Sequence, residues 1–91
     1  MMAPNRRNLT ASVVTDLQPD PAKMWDAKVL SLCVTVQPSG AKAFYDVYSI
    51  RGRPKFYWLG PGSLNINEVR RRAKLLIARV AGGHDPQAEL S

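Results

Sequence analysis

Arg51, Arg53 and Lys55 stand at alternate positions around an Arg-Gly-Arg-Pro turn, with Lys42 at the adjacent turn. Three cations on one tight turn suit phosphates, because each neutralised phosphate releases condensed counterions. Aromatic residues flank this group: Phe44, Tyr45 and Tyr48 before it, Phe56, Tyr57 and Trp58 after it. Basic residues interleaved with aromatics point to contact with a polyanion.

Parts for catalysis are missing. His84 precedes Asp85-Pro86 beyond a Gly-Gly stop and reads as a loop residue. Asp46 sits among apolar strand residues and reads as a satisfied or strand-end carboxylate. No nucleophile-elbow, Walker A or HExxH motif occurs, and Gly60-Pro61-Gly62 is a turn, since proline removes an amide that a phosphate loop needs. One cysteine (Cys33) and one histidine cannot supply the three or four ligands of a zinc site. No catalytic residue, metal, cofactor or small-molecule substrate is therefore expected.

Ninety-one residues make one small domain. The net charge is +6 and unevenly placed: residues 41–80 hold nine Lys and Arg against two acids. A basic middle half favours a polyanionic partner, the alternative being a solubilising surface. No apolar run exceeds four residues, against the roughly 18 of a membrane span. The N-terminus shows no signal peptide, and a lone cysteine fits a reducing cytoplasm.

Local signals place the elements. Residues 1–8, with Arg6 and Arg7, read as a flexible basic arm. Thr10 can cap a short helix through about Leu17, with Val13, Val14 and Leu17 on one side. From Val29 to Gln37, Leu32, Val34 and Val36 alternate with Cys33, Thr35 and Gln37, the period of a half-buried strand. Pro38-Ser39-Gly40 turns into a second strand, Ala43 to Ile50, and Arg51 to Pro54 turn into a third, Lys55 to Leu59. Asn65 and Glu68 form a capping-box pattern, Leu64 and Val69 a hydrophobic staple. Ile66, Val69, Ala73, Leu76, Ile77 and Val80 then mark the buried stripe of a helix over about 66–81, stopped by Gly82-Gly83.

The expected fold is α+β: a three-stranded antiparallel sheet packed on one face by a C-terminal helix, with a short N-terminal helix. Tyr45, Val47 and Ser49 share one face of their strand, opposite Phe44, Tyr48 and Ile50; on the next strand Phe56 and Trp58 oppose Tyr57 and Leu59. The helix covers one face only, so the other is either a contact surface or partly covered by the N-terminal segment and Trp25. In the run Arg70-Arg71-Arg72-x-Lys74, Arg71 and Lys74 lie together away from the stripe, as on a solvated helix face.

These residues resemble a known family. Leu9-Thr10, Met24-Trp25-Asp26, Leu32-x-Val34-x-Val36-x-Pro38-Ser39-Gly40-Ala41-Lys42-x-Phe44, Tyr48, Gly52-Arg53, Leu59-Gly60, Ala73 and Gly83-x-Asp85-Pro86 look like the N-terminal arm-type DNA-binding domain of phage and genomic-island integrases, of the tyrosine recombinase family. The likeness spans Leu9 to Pro86, leaving 87–91 as a tail toward a catalytic region. It implies a non-catalytic domain that lays its open sheet face into the major groove of double-stranded DNA at arm sites. It also implies a bacterial cytoplasmic setting and the catalytic domain of the same integrase as partner. The DNA-contacting set expected from the residues and the resemblance together is Arg6, Arg7, Thr35, Gln37, Lys42, Tyr45, Ser49, Arg51, Arg53, Lys55, Phe56 and Trp58.

The chain departs from its relatives' pattern where Val47, Ser49, Phe56 and Trp58 stand in place of basic residues, and where Asp46 replaces an inward apolar one. Base readout is then expected to lean on Thr35, Gln37, Tyr45, Ser49 and contact with thymine methyls. Two other functions compete. A double-stranded-RNA-binding domain has the same element order, and a protein-interaction module would use the Phe56 and Trp58 face.

Overall fold

The computed structural model describes residues 6–19 and 23–89. Five strands form one mixed sheet in the order β1 (Arg6–Arg7), β2 (Lys23–Asp26), β3 (Leu32–Val36), β4 (Lys42–Ile50) and β5 (Arg53–Pro61). Helix α1 (Ala11–Asp16) links β1 to β2, α2 (Ile66–Ala81) packs on one sheet face, and a final turn α3 (Pro86–Glu89) follows.

The fold is α+β as expected, but the sheet has five strands where three were expected. β1 runs parallel to β2, with Arg6 opposite Trp25 and Arg7 opposite Asp26, so these two arginines extend the sheet. The rest of the expected arm, residues 1–5, lies outside the described residues. A parallel pair needs a crossover, and α1 with its flanks provides it. β2 pairs antiparallel with β3, Met24 opposite Val34. Its alternation was hidden because Asp26 occupies an inward position where an apolar residue is usual.

The central strands and main helix follow the sequence closely. Thr10 caps α1 by accepting from the Val13 amide, and Val14 is buried. The β4–β5 turn carries Arg51 at φ 53° and Gly52 at φ 79°, a type I′ turn whose twist suits a two-residue hairpin. Asn65 caps α2 by accepting from the Asn67 amide. Glu68 does not complete the capping box: its carboxylate is turned onto Arg71 and Arg72, which hold its pKa down at about 2. At the far end Gly83, at φ 92°, allows His84 N–H to reach the Arg79 carbonyl and its own N–H to reach Val80, a Schellman stop. Ile77, placed in the stripe by its spacing, is 40% exposed.

Leu9, Val14, Met24, Leu32, Val34, Phe44, Leu59, Val69 and Ala73 form one core between α2 and the inner sheet face, with Leu64, Ile66 and Tyr57 packed on it. Opposite Phe44 the register slips: Phe44 pairs with Gly60 and Tyr45 with Trp58, so Leu59 is the extra residue.

Candidate nucleic-acid interface

The pairing register decides which side chains share the open face. Lys23 stands opposite Thr35 and Trp25 opposite Cys33. Thr35 in turn faces Ala43, and Cys33 faces Tyr45. Tyr45 faces Trp58, Val47 faces Phe56 and Ser49 faces Pro54. Trp58 is 56% and Phe56 43% exposed, in keeping with the parity expected from sequence, while Tyr57 is half-buried against the core.

Charge on this face rests on rings. Lys23 Nζ lies 4.6 Å from the Phe56 centroid and 5.9 Å from that of Trp25. Arg6 also lies 5.8 Å from the Trp25 centroid, its guanidinium donating to the Asp26 and Leu30 carbonyls. Tyr45 meets Phe56 edge-on at 6.3 Å and so fixes the Phe56 ring plane. Both carboxylates of the sheet, Asp26 and Asp46, point inward and are buried. Among the described residues the open face is therefore cationic and aromatic, with no acid to repel a phosphate. Cys33, buried in the same row, has its thiol pushed up to about 11 by burial, with Lys23 and Asp46 as opposing smaller influences. It stays protonated and inert.

Not every expected contact lies here. Lys55 is in register with Tyr48 and Arg53 with Ile50, which puts both on the helix side. Lys55 Nζ is bound 2.6 Å from Asp85, whose other oxygen accepts from the Tyr48 hydroxyl. Lys42 also points to the helix side, donating to the Thr15 carbonyl at the end of α1. The three-cation tip expected around Arg51 is thus divided: Arg51 occupies the turn, Arg53 is exposed on the inner side, and Lys55 is paired. Thr35, Tyr45 and Ser49 lie on the open face, Gln37 is exposed at its β3–β4 end, and Arg7 is exposed on β1. Lys23 and Trp25 were missed as contact residues, because the inward Asp26 hides the alternation that sets them against Met24.

Arg70, Arg71 and Arg72 on α2 are engaged within the domain. Arg70 donates to Asp26 through Nε and a terminal nitrogen, and to Asn8 and the Leu9 carbonyl. Burial pushes the Asp26 pKa up, but the Arg70 hydrogen bonds, the Leu9 and Val29 amides and the Arg70 charge outweigh it, and the net shift is downward. Arg71 pairs with Glu68; Arg72 shares Glu68 and caps the Leu59 carbonyl at the β5 edge. Asp46 is less well served: Ser31 donates to one oxygen, the other has no partner, and burial raises its pKa. Beyond Trp58 a groove of about 640 Å³ passes over the β5 edge to Leu75 and Arg72.

Among the described residues no three His, Cys, Asp or Glu side chains cluster as metal ligands, and no helix is long and apolar enough to cross a membrane. No curated protein and no solved structure matches the chain. One family does, described as the arm DNA-binding domain, and its match runs over residues 9–91. An open sheet face with no carboxylate among the described residues, backed by a helix whose Arg70, Arg71 and Arg72 are engaged within the domain, agrees with that match, and the chain belongs to the arm DNA-binding domain family, a non-catalytic DNA-binding domain.

Proposed function

We propose that this domain binds double-stranded DNA at the arm sites of an integrase, its open sheet face in the major groove, as the non-catalytic part of a tyrosine recombinase acting in a bacterial cytoplasm. The observation that carries the reading is the sorting of charge by face. The acids of the sheet lie inward, while Lys23 and Arg6 lie outward over aromatic rings. A major groove about 12 Å wide admits a two-stranded β-ribbon such as the β4–β5 pair.

Phosphate contact then falls to Arg6 and Lys23 on the open face and to Arg51 at the β4–β5 turn, while Arg7 and Arg53, opposite Asp26 and Ile50, start on the helix side and reach a phosphate only around the sheet's edge and tip. Thr35, Gln37, Tyr45 and Ser49 offer hydrogen bonds to base edges, while Phe56 and Trp58 offer apolar contact to thymine methyls. Holding arm DNA here would leave the helix side for the catalytic domain of the same protein. The double-stranded-RNA reading loses its main support, because Arg70, Arg71 and Arg72 are engaged within the domain.

Fluorescence anisotropy with a duplex carrying the element's arm repeats, and with a scrambled duplex, tests this. Tighter binding of the arm duplex, weakened by Trp58→Ala, is expected. Equal, salt-insensitive affinity for both duplexes would sink the proposal.

A further inference from the structure

Four aromatic rings, Trp25, Tyr45, Phe56 and Trp58, share the open face, and the two on β5 are the most exposed of the sheet's large apolar side chains. A duplex in its groove presents base edges and phosphates, which polar and charged side chains read; it hides the flat faces of its bases. Here the β4–β5 side of the face is made instead of Val47, Phe56 and Trp58, which offer flat apolar area and one indole N–H.

We propose that this face is also a stacking platform for unpaired bases, so that the domain binds single-stranded nucleic acid as well as duplex. The inference rests on the reading of the open face as the nucleic-acid interface and extends it to a second ligand. Bases of every sequence have a π-face, and single-strand binding proteins combine such rings with nearby cations.

The geometry fits that ligand. Phe56 and Trp58 are two residues apart on one strand, hence about 6.6 Å apart along β5. That is roughly twice the ~3.4 Å rise per nucleotide of a stacked strand, so the two rings match successive bases of a stretched one. Tyr45 holds the Phe56 ring by its edge, which limits the entropy lost on stacking. Lys23 rests 4.6 Å over Phe56 on a flexible four-carbon stem, and can swing from the ring to a phosphate as a base takes its place. The groove of about 640 Å³ beyond Trp58 lies within the size range of small-molecule sites and can take one base turned over the β5 edge.

The test is a titration of the intact 91-residue chain with fluorescein-labelled dT12, an abasic strand with the same number of phosphates, U12 RNA, and the arm duplex. The dT12 or U12 strand is expected to bind tighter than the abasic strand. Phe56→Ala and Trp58→Ala, each checked for native circular dichroism, should each lose about 5- to 100-fold on the base-bearing strand and leave abasic binding unchanged. Preference for dT12 over U12 would assign the ligand as DNA, and the reverse as RNA; either supports a base-stacking site. If the base-bearing strands bind no tighter than the abasic one while the arm duplex still binds, the stacking platform is overturned and the duplex reading stands. If no strand or duplex binds, both fall.

Discussion

The two faces of the sheet use the same kinds of residue for opposite ends. On the helix side four cations have an anionic or carbonyl partner: Arg70 on Asp26, Lys55 on Asp85, Lys42 on the Thr15 carbonyl, Arg72 on the Leu59 carbonyl. On the open side Lys23 has only rings beneath it, and Arg6 is held by backbone carbonyls that leave its charge unneutralised. A count of basic residues cannot separate these populations. What separates them is the partner, and the partner follows from strand parity. Cations with an acid in reach hold the fold together; cations without one remain available to a phosphate.

The sharpest way to break the helix side is Asp26→Asn. Asp26 accepts from the Leu9 and Val29 amides and from Arg70, and Arg70 is itself tied to Asn8 and Leu9. Removing the charge leaves a largely buried guanidinium unneutralised, which typically costs about 3–5 kcal/mol. In a domain this small that approaches the whole stability, so urea denaturation should find the variant largely unfolded at 25 °C. A loss below about 1 kcal/mol would show that α2 does not depend on this pair.

The two neighbours on β5 compare the faces directly. Tyr57→Ala should cost about 2 kcal/mol, less than the ~3–5 of a fully buried aromatic because Tyr57 is half-exposed. Trp58→Ala should change stability by no more than about 0.5–1 kcal/mol and weaken arm-DNA binding instead. Thermal melts and anisotropy on both variants decide it. If Trp58→Ala unfolds the domain while Tyr57→Ala is mild, the faces have been exchanged.

That parity was legible in the sequence, and so was α2 to the residue, because its cap, stripe and glycine stop are local signals. The period of two set Tyr57 against Trp58, and the family resemblance, with Leu59 inward, said which of them faces the core. Lys55 could have been sorted the same way, since 53, 55, 57 and 59 alternate together; grouping it with the turn overrode the period. β1 and β2 were not legible: two and four residues carry little pattern, and Asp26 breaks the little there is. The roles of Arg70 and Asp85 depend on partners 44 and 30 residues away, which no local spacing reveals.

The two inward aspartates sharpen the comparison through pH. Asp26 has a lowered pKa, so its contribution is present above the ordinary carboxylate value and is lost as pH falls through its folded value. Asp46 has a raised pKa and one partnerless oxygen, so the folded state holds its proton more tightly than the unfolded chain. Its stabilising effect is complete below the ordinary value and is lost as pH rises through the folded one. Asp46→Asn keeps an acceptor for Ser31 and removes the titration. The variant should gain on wild type as pH rises from 4 to 7, read by chemical denaturation at each pH. A constant difference would mean that Asp46 does not titrate in that window.

The smallest expected effect separates the two cation populations most directly. Each phosphate neutralised by a lysine adds about 0.9 to the slope of log affinity against log salt on duplex DNA. Lys23 faces outward with no acid beside it among the described residues, so Lys23→Ala should flatten the slope by about 0.9. Lys55 is equally charged and lies on the strand that carries Phe56 and Trp58, yet it faces inward and is bound to Asp85. Lys55→Ala should leave the slope unchanged. It should cost only modest stability, because the pair is partly exposed and such bridges are weak. Anisotropy between 50 and 200 mM salt resolves the difference, as one contact over that range changes affinity by roughly threefold. Equal slopes for the two variants would mean that strand parity does not decide which lysine meets DNA. A flattened slope for Lys55→Ala alone would move the DNA to the helix side of the sheet.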